Sequence, residues 1–398
     1  MSDQLTENEA AEFRAQVRAF LEANTVANAD YKAQAEFQAK LSEAGLAGIV
    51  YPSEYGGAGL TKAHDRILRE EAARQPTMNN DFIISHGMCL PMLNDFGTDE
   101  QKKAFMADNI AGRTLWCQMF SEPGAGSDVA SLQTKAERDG DEWIINGQKV
   151  WTTLAHVSQY AVLIARTNPE AVKHAGISMF ILPMDAPGVE VRPIHQIDGG
   201  SHFNEVFFTD VRLPLGNLLG EINNGWNQAT AMLMYERVAI GTLGGGKISH
   251  PNYKRLHNAA SQADRLGDAN VRQDLAKIYS METTKSLMAL RTRAEMQGGR
   301  APGPGGSLGK LFGSVIQWRM RETLMNIAGP ASQAWSAEDG AQGELLAKET
   351  VGSFSSSIAG GTDEIQRNII GDRVLGLPRD VAVDRGVPFN EIQVGTQR

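Results

Sequence analysis

Cysteine is nearly absent from this chain: Cys89 and Cys117 are the only two among 398 residues. So few exclude a disulfide framework and a cysteine-based metal site. Long apolar runs are missing too. No stretch approaches the ~18 residues of a membrane span. The opening MSDQLTENEAAEFRAQVRAF has no apolar signal core, so a cytoplasmic protein with no membrane partner is expected. Positive charge is in deficit, with 38 Lys and Arg against 47 Asp and Glu. That balance argues against a nucleic-acid partner, which selects a basic face. The histidines show neither HxxxH nor HExxH spacing, so no metal is assigned. No Gly-x-Gly-x-x-Gly follows a strand pattern, which argues against a Rossmann domain.

What is present is an ordinary globular composition, 42% hydrophobic and 21% charged. The length suffices for two or three domains or one large layered fold. Periodicity divides it into three. Residues 1–115 read as helices: Phe13, Val17, Phe20 and Leu21 share one helical face, and 38–46 and 65–73 continue the pattern. YPSEYGGAG (51–59) reads as a loop. Residues 116–224 change texture. EWIINGQKVWTT (142–153) predicts a hairpin turning at Asn146-Gly147, and short β-rich runs follow, as in a small barrel or sandwich. Residues 225–398 return to helix, with RAPGPGGS (300–307) as an internal loop. Near the end, Thr362 predicts a cap for a helix with Asp363 and Glu364 in its first turn.

Three stretches could carry chemistry. In FSEPGAGSD (120–128), Gly124, Gly126 and Ser127 form a small-residue turn whose N–H groups could cradle a phosphate, and Ser121 adds a hydroxyl. Downstream, Trp151 and Thr153 fall on one face of a strand, an aromatic plane beside a hydroxyl, which suits a planar cofactor. An ordinary β-turn and a core tryptophan explain the same residues. GTLGGGKIS (241–249) nearly spells a phosphate-binding P-loop. Ile248 stands where Ser or Thr must meet magnesium, and the preceding segment reads as a helix, so that reading is remote. In ATAMLMYERVAIG (229–241), Glu236 and Arg237 are the only charges between Asn224 and Gly246. A carboxylate in such apolar company suits a general base with a raised pKa. A Glu reaching solvent or a distant Arg is the alternative.

Taken together, FSEPGAGSD, INGQKVWTT and GGTDEIQRNII resemble, in order, the flavin loop, the hairpin and the C-terminal helix of the acyl-CoA dehydrogenase family. The resemblance spans nearly the whole chain. It implies an α+β fold: an all-α N-terminal domain (1–115), a middle β-barrel or sandwich domain (116–224) and a C-terminal four-helix bundle (225–398). It implies FAD, a CoA-thioester substrate, α,β-dehydrogenation and, as acceptor, an electron-transferring flavoprotein. A homodimer or homotetramer is implied, with a heterotetramer as the variant arrangement. By that resemblance, Phe120 and Ser121 touch the flavin ring, and Gly126 and Ser127 meet its ribityl-diphosphate, with Ser127 also on the substrate's pantetheine. Trp151 flanks the ring, Thr153 bonds near N5, and Thr362 and Glu364 lie beside an FAD. Arg237 lines the CoA channel.

Two departures matter. Many members place the catalytic glutamate just before Gly-Thr, where this chain has Gly360 in front of Gly361. Members of another group, including isovaleryl- and long-chain-type enzymes, place the base in a Glu-Arg pair on a C-terminal-domain helix, which YERV matches at Glu236. Glu236 is therefore the expected base, with Gly360 and Gly361 offering backbone to the thioester carbonyl. Further, no Arg-x-x-Phe-Gly occurs in 250–280, where Arg272 is the weak substitute. That lack motivates a second reading, an FAD-poor or non-catalytic subunit of a heteromer. A flavin oxidase or monooxygenase of the same fold is a third. The segment after Pro378 is expected either to cross to a neighbouring subunit or to be disordered.

Overall fold

The computed structural model describes residues 5–27, 29–75, 81–241, 248–297, 305–333, 343–379, 381–382 and 384–392, with the backbone alone for 236–241, 296–297, 333 and 343–345. They form two compact units: Met1–Ile194 with Ser201–Ala239 and Ala382–Arg398, and His195–Gly200 with Ile240–Val381.

The first unit opens with helices α1 (Glu7–Asn24), α2 (Tyr31–Glu43), α3 (Lys62–Ala72), α4 (Leu90–Phe96) and α5 (Asp99–Ile110). Polar residues start them in the expected way. Thr6 with Glu9, and Thr98 with Gln101, close capping boxes on α1 and α5. The strands are β1 (Trp116–Met119), β2 (Lys135–Asp139), β3 (Glu142–Thr153), β4 (Tyr160–Arg166), β5 (Ile177–Pro183), β6 (Val189–Pro193), β7 (Phe203–Pro214) and β8 (Leu218–Leu219). They join in the order β6-β7-β3-β2-β4-β5-β8, with β1 on β4.

β1 and β2 both run parallel to β4. Trp116–Met119 pair with Tyr160–Leu163, and Lys135 pairs with Arg166. The chain therefore leaves that line after Met119 and regains it at Lys135. The excursion, 120–134, holds the FSEPGAGSD stretch.

β4 reads YAVLIAR with no polar alternation because both of its faces are buried. Val162 and Ile164 belong to a core shared with Leu21, Leu46, Leu93 and Met106 of the N-terminal helices. Ala161, Leu163 and Ala165 belong to a second core with Trp143, Ile145, Val206 and Phe208. Each fully buried Leu or Ile contributes about 1.5–3 kcal/mol over exposure. Helix α6 (Gly225–Gly241) sets Ala229 and Met232 into the first of these cores.

The second unit holds α7 (Pro251–Gln262), α8 (Ala269–Gln297), α9 (Gly305–Ala328), α10 (Gly343–Gly352), α11 (Ser355–Ile358) and α12 (Asp363–Arg373). Leu256, Ile278, Leu324 and Leu346, from α7 to α10, meet in its core. The order of helices, central sheet and helices is the α+β architecture expected. No helix among the described residues is long and apolar enough to cross a membrane.

Three expectations are corrected. Asn146-Gly147 is not a hairpin turn: β3 runs unbroken through it. A type I′ turn needs positive φ at both residues, and here only Gly147 departs, at φ 147°. The pairing of β3 with β7 shifts register between Ile145 and Gly147: Asn146 alone faces Thr209 and Asp210, so the β-bulge is on β7, where Asp210 has φ 49°. Asn146 holds the bulge by donating Nδ2–H to Asp210 Oδ1 (3.0 Å) and accepting the Asp210 N–H (2.9 Å). The hairpin lies earlier, between β2 and β3, around Gly140-Asp141. Second, Gly305–Ser307 belong to α9 rather than to a loop, while 298–304 lie outside the described residues. Third, the segment 384–392 is ordered on this chain, while 393–398 lie outside the described residues. It packs on this chain's own β domain, where Pro388 bridges Val172 and Phe389 is buried.

Candidate active site

The excursion from the sheet is anchored by a buried ion pair. Glu122 and Ala125 exchange backbone hydrogen bonds at 3.0 Å each, closing a tight turn over Pro123-Gly124. The Glu122 side chain points inward, where Lys149 Nζ donates to its Oε1 at 2.8 Å. The N–H groups of Gln133 (2.6 Å) and Thr134 (3.0 Å) donate to the same carboxylate. Burial alone would raise the Glu122 pKa; Lys149 and these donors outweigh it and hold it below the ordinary value. Lys149 also donates to the Phe120 carbonyl at 3.0 Å. One cation therefore ties the near limb of the loop, Phe120 and Glu122, to β3.

Sequence reasoning missed Glu122 and Lys149. One signal was available: Lys149 shares the parity of Trp143 and Ile145, the inward face of β3. Beside the pair lies a cavity of about 250 Å³ lined by Pro123, Gly124, Gln133, Thr134 and Gly147. Gly147 is required there, because a Cβ would meet Thr134 Oγ1 at 2.6 Å.

Of the residues singled out on the loop, Phe120 is buried, Ser121 is half-buried, and Gly126 and Ser127 are exposed. A Cβ on Gly124 or Gly126 would meet nothing within 4 Å, so the outer side of the turn is open. The Ser121 carbonyl accepts the Val150 N–H at 3.0 Å, which brings the loop beside the last turn of β3.

There the second irregularity of β3 falls, between Lys149 and Thr152. Trp151 adopts φ 59°, a left-handed backbone that bulky residues avoid, and its side chain is 59% exposed. Its ring meets Phe203 edge-on at 6.0 Å. A large indole held outward on a strained bulge is not a core tryptophan. Strain of this kind persists where surrounding structure imposes it, often at ligand sites. Thr153 follows, half-buried, while Thr152 between them is buried. Behind them, the Thr152 hydroxyl and the Asn204 amide oxygen are buried with no hydrogen-bond partner. An outward aromatic plane, hydroxyls beside it and an open glycine turn at one end fit a flavin and its phosphates.

The remaining candidates lie elsewhere in the chain. Glu236 and Arg237 are on α6 in the first unit, and their side chains lie outside the described residues. The P-loop-like 242–247 also lie outside them. In the second unit, Gly360 and Gly361 have φ 67° and 83°. The Gln366 amide nitrogen donates to the Gly360 carbonyl at 3.1 Å. Thr362 caps α12, its hydroxyl accepting the Ile365 N–H at 3.2 Å. Glu364 is exposed and pairs with Arg367 at 3.2 Å. Arg272 stands exposed in the first turn of α8.

Three family models match in succession: the acyl-CoA dehydrogenase N-terminal domain over 7–113, the middle domain over 117–211 and the C-terminal domain over 223–375. The chain belongs to the acyl-CoA dehydrogenase family. It is 37% identical over 386 residues to acyl-CoA dehydrogenase IpdE1 of Mycobacterium tuberculosis, covering 93% of this chain and 98% of that one. Among solved structures, the ChsE4-ChsE5 complex from Mycobacterium tuberculosis superposes with a TM-score of 0.75 at 32% identity, covering 96% and 100% of the two chains. The Tcur3481-Tcur3483 steroid ACAD gives a TM-score of 0.78 at 28% identity, covering 96% and 100%. As an acyl-CoA dehydrogenase, the chain is an oxidoreductase.

Proposed function

We propose that this acyl-CoA dehydrogenase binds FAD and desaturates a CoA thioester between its α and β carbons. When bound, the flavin supplies the hydride acceptor at N5. Glu236 on α6 takes the α-proton as general base. Trp151 and Phe120 flank the ring, while Ser121 and Thr153 offer it hydroxyl hydrogen bonds. Gly126 and Ser127 receive the phosphates, and Thr362 and Glu364 lie beside the cofactor. Arg237 and Ser127 hold the CoA portion. The N–H groups of Gly360 and Gly361 polarise the thioester carbonyl. Domain limits at 115 and 224, a cytoplasmic location, an electron-transferring flavoprotein as acceptor and a homotetramer complete this reading.

The observation that carries it is the exposed Trp151 on its left-handed bulge beside the 120–128 turn. The test is anaerobic. The purified chain is yellow, and a suitable acyl-CoA bleaches it. Glu236→Gln binds FAD but is reduced on the order of 10²-fold more slowly or worse. Wild-type reduction in that variant sinks the assignment. The names of the relatives point to acyl groups attached to a steroid, and bulky substrates follow from the absent side chain at Gly360. Bleaching by short straight-chain thioesters alone contradicts this.

A second reading is kept for one reason: the chain lacks Arg-x-x-Phe-Gly, and a solved relative is a complex of two different chains. It is a flavin-poor subunit of a heteromer. A flavin-to-protein ratio near one in the chain purified alone removes it.

A further inference from the structure

Arg166, at the end of β4, is an unusual buried cation because no carboxylate pairs with it among the hydrogen bonds and ion pairs it makes. Its Nη1–H donates to the Lys173 carbonyl at 2.7 Å and its Nη2–H to the Ala130 carbonyl at 2.6 Å. Burial pushes its pKa down to about 10. What covers the guanidinium is the ring of Phe389, 3.6 Å from Cζ to the ring centroid. A cation over an aromatic face in a dry site is favourable, and more so than at the surface.

A second link runs alongside. Lys173 Nζ donates to Asp128 at 2.7 Å and to Asp384 at 2.9 Å. Asp128 in turn accepts from the Ser131 hydroxyl at 2.6 Å. Both links therefore join the C-terminal segment to 128–131, the limb of the loop immediately after Ser127. The segment is fixed to the intervening loop by backbone bonds as well: the Phe389 N–H donates to the Ala171 carbonyl and the Asn390 N–H to the Pro169 carbonyl, each at 2.9 Å. Gly176 makes that loop close-fitting, because a Cβ would meet the Asn168 carbonyl oxygen at 1.9 Å.

We infer that Phe389 and Asp384 are positioning residues for the cofactor loop. The C-terminal segment 384–392 acts as a strap that holds 124–131 in the shape that receives the flavin phosphates, through Arg166 and Lys173. The inference rests on the reading of that loop as a flavin contact. The strap touches no reacting atom; it acts on how long the cofactor stays. Glu122 and Lys149 fix the near limb of the loop to β3, and the strap fixes the far limb.

The test uses the full chain with three substitutions. Phe389→Leu keeps an apolar side chain in place but removes the π face. Phe389→Tyr retains the face. Asp384→Asn is half-exposed and leaves the core intact. Two readouts are taken: amide hydrogen exchange in 124–131 of the flavin-free protein, and the rate of FAD release followed by flavin fluorescence. Phe389→Leu is expected to speed exchange in 124–131 and raise FAD release about fivefold. Asp384→Asn does the same to a smaller degree, and Phe389→Tyr stays near wild type. Unchanged exchange in both Phe389→Leu and Asp384→Asn overturns the strap, as does faster exchange with wild-type FAD release. Failure of the functional reading is seen separately, as a wild-type chain that binds no FAD.

Discussion

Lys149 and Glu122 stand 27 positions apart in sequence and 2.8 Å apart in space, with both side chains out of water. Removing one charge from such a pair strands the other. Lys149→Met therefore leaves the Glu122 carboxylate with only its backbone donors. The expected loss is about 3–5 kcal/mol in urea unfolding. Glu122→Gln combined with Lys149→Met recovers part of it. A single variant as stable as wild type contradicts the pairing.

Trp151 supplies a prediction in which stability and binding move apart. Trp151→Ala and Trp151→Gly both remove the indole and both weaken FAD binding, as read by fluorescence titration. Only glycine accepts φ 59° without strain. In the flavin-free protein, Trp151→Gly is expected to be more stable than Trp151→Ala by about 1 kcal/mol. Equal midpoints mean that the backbone is relaxed there.

His86 governs a window of pH. Its Nε2 bonds the Asn109 carbonyl at 2.7 Å, and its ring stacks on Phe82 at 5.0 Å. Burial pushes its pKa down to about 4. Between about 6.5 and 4 the unfolded chain takes up a proton that the folded chain refuses. This contribution to stability is present above 6.5 and is lost as pH falls, at about 1 kcal/mol per unit. His86→Asn is expected to flatten that slope in urea midpoints taken at pH 7, 5.5 and 4.5. An unchanged slope assigns the effect to other groups.

Gly360 has φ 67° and its carbonyl is bonded by Gln366. Gly360→Ala should cost about 1 kcal/mol in thermal unfolding while the flavin spectrum stays unchanged. The same backbone refuses a glutamate. Gly360→Glu is expected not to restore reduction to Glu236→Gln; recovery would show that the carboxylate can be moved.

Much of the architecture was legible because period reveals it. The helical face of Phe13, Val17, Phe20 and Leu21, the doubly buried YAVLIAR and the Thr362 cap all follow from local rules. What escaped was decided by partners far along the chain. Asn146-Gly147 has the chemistry of a turn, yet Asn146 stays in β3, captured by Asp210 at a bulge of β7. The pairing of Lys149 with Glu122 follows no spacing rule. The seat of Phe389 on Arg166 is invisible until β4 and its loop are folded. At the site, the left-handed backbone at Trp151 was not legible, because no local preference asks for it.

The docking of the C-terminal segment also has a consequence for the order in which the molecule is made. Lys173 and Asp384 are 211 positions apart. At ordinary rates of translation, about 5–20 residues per second, roughly 10–40 s separate the emergence of one from the other. Once Leu219 has emerged the sheet can form, but until Phe389 follows Arg166 lacks its aromatic cover. Residues made late therefore close the structure begun by the middle ones. A nascent chain broken off before Asp384 should therefore be distinguishable from a finished one by how loosely it holds 124–131.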